Sequence, residues 1–110
     1  MTALKKTTTK NEKRAKLEKA GWKFGSAYDF LNLTDEEIAY VEMKIALSET
    51  LRQRRRENKL TQTELAKLVQ SSQSRIAKME AGDPSVSIDL LIKSLLALGV
   101  SRKELARALS

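Results

Sequence analysis

Gln73, Ser74, Arg75 and Lys78 stand close together in one short stretch, with Ser72 beside them and Thr61 and Gln62 a little upstream. A side-chain amide can pair with both hydrogen-bonding groups of an adenine edge. Lysine and arginine favour guanine, and hydroxyls serve either bases or phosphates. Any catalysis would have to work with carboxylates, lysine or hydroxyls alone. The 110 residues include no histidine and no cysteine, which removes a histidine base, a thiol nucleophile, a disulfide and the usual zinc ligands. No carboxylate pair, phosphate-binding loop or activated nucleophile can be assembled from what remains. The chain is therefore expected not to be an enzyme, and no cofactor or metal is expected.

The charge is unevenly placed. The net value is +7, but the sequence divides into blocks of opposite sign. Residues 1–23 carry Lys5, Lys6, Lys10, Lys13, Arg14, Lys16, Lys19 and Lys23 against Glu12 and Glu18. From residue 24 to 50 only Lys44 opposes Asp29, Asp35, Glu36, Glu37, Glu42 and Glu49. Residues 51–82 are basic again. Two basic blocks suit a polyanion, and the acidic block between them suits a different partner. No apolar run has the length of a membrane span, and no secretory signal follows the N-terminal lysines, so an intracellular protein is expected.

The elements that must position these groups are helical. Strand-like alternation is absent, turn residues are scarce (four glycines and one proline), and strong helix formers dominate, which predicts an all-α fold. Residues 1–20 read as a basic, disordered or frayed tail. Residues 21–47 read as an extension: an aromatic loop holding Trp22, Phe24, Tyr28 and Phe30, then an acidic helix. Thr34 and Glu37 form a capping box that opens this helix, with Ile38, Val41, Ile45 and Leu51 along one face and no breaker before Asn58. Residues 48–110 form the main domain. Thr61 and Glu64 make a second capping box. Residues 70–72 make a turn, and Ser72 caps the next helix, which turns Ile76 and Met79 inward. Ser87 caps an apolar helix stopped at Gly99, and Ser101 with Glu104 opens the last.

Two short helices separated by a three-residue turn resemble the helix-turn-helix unit of the lambda-repressor/Cro type, also called the xenobiotic-response-element family. The resemblance rests on Leu-Thr-Gln-x-x-Leu-Ala at 60–66, Ser-Gln-x-x-Ile-x-x-x-Glu at 72–80, Gly82, and Leu-Gly-Val at 98–100. It covers residues 48–109 and implies a five-helix domain with an N-terminal helical extension. It further implies that residues 72–81 form the recognition helix in the major groove, with Thr61, Gln62, Ser72, Gln73, Ser74, Arg75 and Lys78 contacting DNA. Arg55 and Glu80 would make a buried ion pair. The chain departs from the family in its turn, where Gln70 and Ser71 replace the usual glycine and apolar residue.

The extension, together with residues 71–75 and 78–85, resembles HigA-type antitoxins, which pair with basic ribonuclease toxins of the HigB/RelE type and repress their own operon. That likeness implies a toxin partner bound through Trp22, Phe24, Tyr28, Phe30, Glu36 and Glu37. A stand-alone or prophage-type regulator and a protein-bridging factor are the alternatives. Leu90, Leu91, Ile92, Leu95 and Leu96 cover more of one helix than a single core needs, which predicts a homodimer on a palindromic site in double-stranded DNA. A cytoplasmic, nucleoid-associated location follows from that reading.

Overall fold

The computed structural model describes Lys19 and residues 33–110. The expected basic tail, the aromatic loop and its Trp22, Phe24, Tyr28 and Phe30 lie outside the described residues, apart from Lys19, which is exposed. Among the described residues there are five α-helices and no strand: α1 (Asp35–Glu57), α2 (Gln62–Leu68), α3 (Gln73–Glu80), α4 (Ile88–Ala97) and α5 (Arg102–Leu109). None of them is long and apolar enough to cross a membrane.

Each of these five helices begins at a hydroxyl residue. Thr34 accepts from the Glu37 amide at 3.0 Å while its own amide donates to Glu37 Oε1 at 2.9 Å. The same reciprocal box recurs at Thr61 with Glu64 and at Ser101 with Glu104, and Ser72 and Ser87 cap α3 and α4. Four helices end alike. The residue after each C-cap takes a left-handed backbone: Lys59 (φ 57), Gln70 (φ 56), Gly82 (φ 72) and Gly99 (φ 88). The following amide then reaches back to a carbonyl five residues earlier, as in Ser71 to Ala66 at 2.7 Å and Val100 to Leu95 at 3.1 Å. At two ends a side-chain-bearing residue does what glycine does more cheaply.

Helix α1 runs unbroken for 23 residues. Its first turn holds Asp35, Glu36 and Glu37 and its last turn Arg54, Arg55 and Arg56, each sign opposite to the dipole at its end. The division expected between residues 47 and 48 falls inside this helix. No glycine or proline interrupts it, so the acidic extension and the first helix of the basic domain are one rigid element.

The core gathers Leu47 and Leu51 of α1, Leu65 and Ala66 of α2, Ile76 and Met79 of α3, and Leu91 and Leu95 of α4. Val86, Val100 and Leu105 complete it. Ile38, Val41 and Ile45 are also buried but lie outside this cluster. The apolar face of α4 divides: Leu91 and Leu95 are core, Leu90 and Ile92 are half-buried, and Leu96 is 47% exposed.

Candidate nucleic-acid interface

Helices α2 and α3 pack against each other through Leu65, Ala66, Ile76 and Met79, all buried. This packing turns the opposite side of α3 outward. Gln73, Ser74, Arg75 and Lys78 are all exposed along it. A chain of hydrogen bonds fixes its near end. Arg55 grips Glu80 with two parallel bonds, Nε to Oε2 at 2.5 Å and Nη2 to Oε1 at 2.9 Å, and its Nη1 donates to the Leu60 carbonyl at 2.8 Å. Gln62 Nε2 then donates to Glu80 Oε1 at 3.2 Å, and Gln73 Nε2 donates to Gln62 Oε1 at 2.7 Å.

Position in the core is thereby relayed to the surface. The side chains of Arg55 and Glu80 are 12% and 4% exposed, so the pair is desolvated and must stay together to be tolerated. The Glu80 carboxylate, by accepting from the guanidinium, holds the Arg55 pKa above its ordinary value. Gln62 is half-buried and Gln73 exposed, so the series runs from a buried charge to a solvent-facing amide. Gln73 keeps its side-chain oxygen for an outside donor, and its second amide hydrogen for an outside acceptor.

The other residues expected at the site are placed as follows. Thr61 and Ser72 are exposed and engaged as caps, accepting from the Glu64 amide at 3.1 Å and the Arg75 amide at 3.2 Å. The Ser72 hydroxyl also lies 3.4 Å from that of Ser74. Glu36 and Glu37 are exposed on α1, where Glu37 is tied to the Thr34 cap. That hydrogen bonding keeps its pKa below the usual carboxylate value. In the turn, Gln70 has the left-handed backbone, and Ser71 Oγ is buried with no hydrogen-bond partner.

Residues 51–105 match the helix-turn-helix family model. The chain belongs to the helix-turn-helix family of the lambda-repressor/Cro type. No curated protein and no solved structure matches it significantly. As a member of this family it is a DNA-binding transcription regulator.

This helix-turn-helix chain also has site features that motif spacing did not reveal. A groove of about 400 Å³ lies beside α3, lined by Ser72, Ser74, Arg75 and Lys78 on one side and by Ser85, Val86, Ser87 and Leu90 on the other. A smaller cleft brings Arg52 and Arg56 of α1 beside Gln62 and Ala77. Lys44, in the acidic half of α1, is only 5% exposed and donates to the Pro84 carbonyl at 3.1 Å. Its helical spacing from Val41, Ser48 and Leu51 already places it on the buried face. In a stretch of carboxylates, however, a lone lysine reads as a solvated counter-charge.

Proposed function

We propose that the chain is a sequence-specific repressor that binds a palindromic operator as a homodimer, reading bases with Gln73, Ser74 and Lys78 and phosphates with Thr61, Gln62, Ser72 and Arg75. The observation that carries this reading is the hydrogen-bonded series Arg55–Glu80–Gln62–Gln73, which presents one amide at a fixed place on an exposed helix face. Preorganised donors and acceptors distinguish bases, whereas loose charge only finds phosphate. The dimer rests on Leu96, exposed on α4 beside the half-buried Ile92. Two protomers would set their α3 helices one DNA turn apart, about 34 Å. The test is selection of duplexes from a random-sequence pool by the full chain. Two inverted half-sites, bound roughly a thousandfold more tightly than random DNA, are expected. A pool that emerges without a consensus would overturn the reading.

A toxin partner is the second part of the proposal. Asp35, Glu36 and Glu37 lie exposed in one turn, and Tyr40, one turn on, is 46% exposed. An acidic turn with an adjacent aromatic ring suits the basic surface of a ribonuclease. Because α1 is continuous into the DNA-binding domain, charge reversal tests this better than truncation. Asp35→Lys with Glu36→Lys should abolish capture of a small basic ribonuclease encoded beside this gene, and leave binding to the selected duplex intact. Undiminished capture would move the partner surface elsewhere.

A further inference from the structure

The family match begins at residue 51, yet a buried side chain from before that boundary reaches the DNA-binding domain. Lys44 spans from α1 to the loop joining α3 and α4, and its ammonium donates to the Pro84 carbonyl at 3.1 Å. The Tyr40 ring lies 5.7 Å from the same nitrogen. Burial lowers the Lys44 pKa, and the charge of Asp83 works against that shift. A buried ammonium is kept only where it is well partnered, so this contact constrains the loop more strongly than an apolar side chain would.

The loop is organised around the same point. Asp83 Oδ1 accepts from the Ser85 amide at 2.8 Å and from the Ser85 hydroxyl at 2.6 Å. The Val86 amide donates to the Asp83 carbonyl at 3.1 Å, and Val86 is buried in the core. Ser87, next along, caps α4. Ser85, Val86 and Ser87 then form one wall of the groove whose other wall is Ser72, Ser74, Arg75 and Lys78. The width of that groove depends on where the loop is held.

We propose that Lys44 is a positioning residue for DNA binding, bracing the 83–87 loop so that the Ser87 hydroxyl opposes Arg75 across a groove that holds one backbone phosphate. The inference rests on the DNA-binding reading and adds a residue from the acidic half of α1 to it. Lys44 does not touch DNA itself. It sets the distance between the Ser87 hydroxyl, which accepts from the Leu90 amide and keeps its own hydrogen to donate, and the Arg75 guanidinium on α3, and a phosphate needs both at once.

The test uses the full chain and a duplex it has selected from a random-sequence pool. Lys44→Met keeps the length of the side chain and removes the donor. It should lower affinity for that duplex about tenfold per folded molecule, the scale of one lost charge-assisted phosphate contact. Phosphate-ethylation interference should lose its signal at one phosphate per half-site while the protected bases stay the same. Lys44→Arg, which can reach the same carbonyl, should restore that phosphate. A merely structural lysine would lower the folded fraction and leave the footprint unchanged, and that result overturns the proposal. If Lys44→Met does not fold, Asp83→Ala loosens the loop from its exposed side and should erase the same phosphate; an unchanged footprint there overturns it equally. Failure of the wild-type chain to select any duplex would instead break the DNA-binding reading itself.

Discussion

The two halves of α1 are one helix with two chemistries. The C-terminal half is basic, and Arg55 in its last turn is locked to Glu80 and through Gln62 to the exposed face of α3. The N-terminal half is acidic, exposes Asp35, Glu36 and Glu37, and sends a single buried cation, Lys44, to the loop beyond α3. Both halves thus touch the surroundings of α3, one at its start through the glutamine pair and one just past its end. Net charge alone would assign the acidic half no part in a nucleic-acid site. A carboxylate-rich segment can still support such a site from behind, through one well-placed side chain.

The sharpest way to break this comparison is at Arg55. Arg55→Met leaves Glu80 buried without its cation, and a loss of about 3 kcal/mol in unfolding free energy is expected from urea denaturation. A double-mutant cycle with Glu80→Gln should show strong coupling. Additive losses would mean that the basic half is not tied to α3 through this pair.

Next in size is readout. Gln73→Ala and Lys78→Ala should each cost about 1–3 kcal/mol on the selected duplex and much less on random DNA. Removing residues 1–19 should weaken both DNAs equally and flatten the salt dependence, because fewer counterions are released. A salt series on both duplexes measures this. Equal losses on the two DNAs for the α3 variants would reassign the reading face.

The turn gives smaller effects of opposite sign. Gln70 carries a left-handed backbone that glycine adopts freely, so Gln70→Gly should stabilise by about 0.5–1 kcal/mol. Ser71→Ala removes an unpartnered buried hydroxyl and should stabilise by about 1 kcal/mol. Thermal melts of the single and double variants check both. A destabilised double variant would show that the polar turn makes contacts of its own.

The smallest effect is in acid. Hydrogen bonds to the cap lower the pKa values of Glu37, Glu64 and Glu104 below the ordinary 4.5. A carboxylate with a depressed folded-state pKa adds stability that is present above its unfolded value and disappears as pH falls through the folded one. Melting temperature should therefore drop as pH falls below about 4.5, and the triple variant Glu37→Gln, Glu64→Gln, Glu104→Gln should show a shallower drop.

Much of this was legible from local pattern. The caps at Thr34, Thr61, Ser72, Ser87 and Ser101 each need only a hydroxyl and an amide three residues on, and all five form where spacing placed them. The inward turn of Ile76 and Met79 follows from helical period, and the family pattern is carried by residue types at short separation. Other features were decided only by the packed fold. Lys44 and Pro84 stand 40 residues apart, and no sequence rule links a lysine to a distant backbone carbonyl. The serine wall of the groove exists because Val86 is pulled into the core and drags Ser85 and Ser87 beside α3. The apolar excess on α4 was visible, but packing chose Leu91 and Leu95 for the core and left Leu96 outside. Short-range hydrogen bonds and periodicity are properties of the chain itself, whereas burial partners are set by which helices meet.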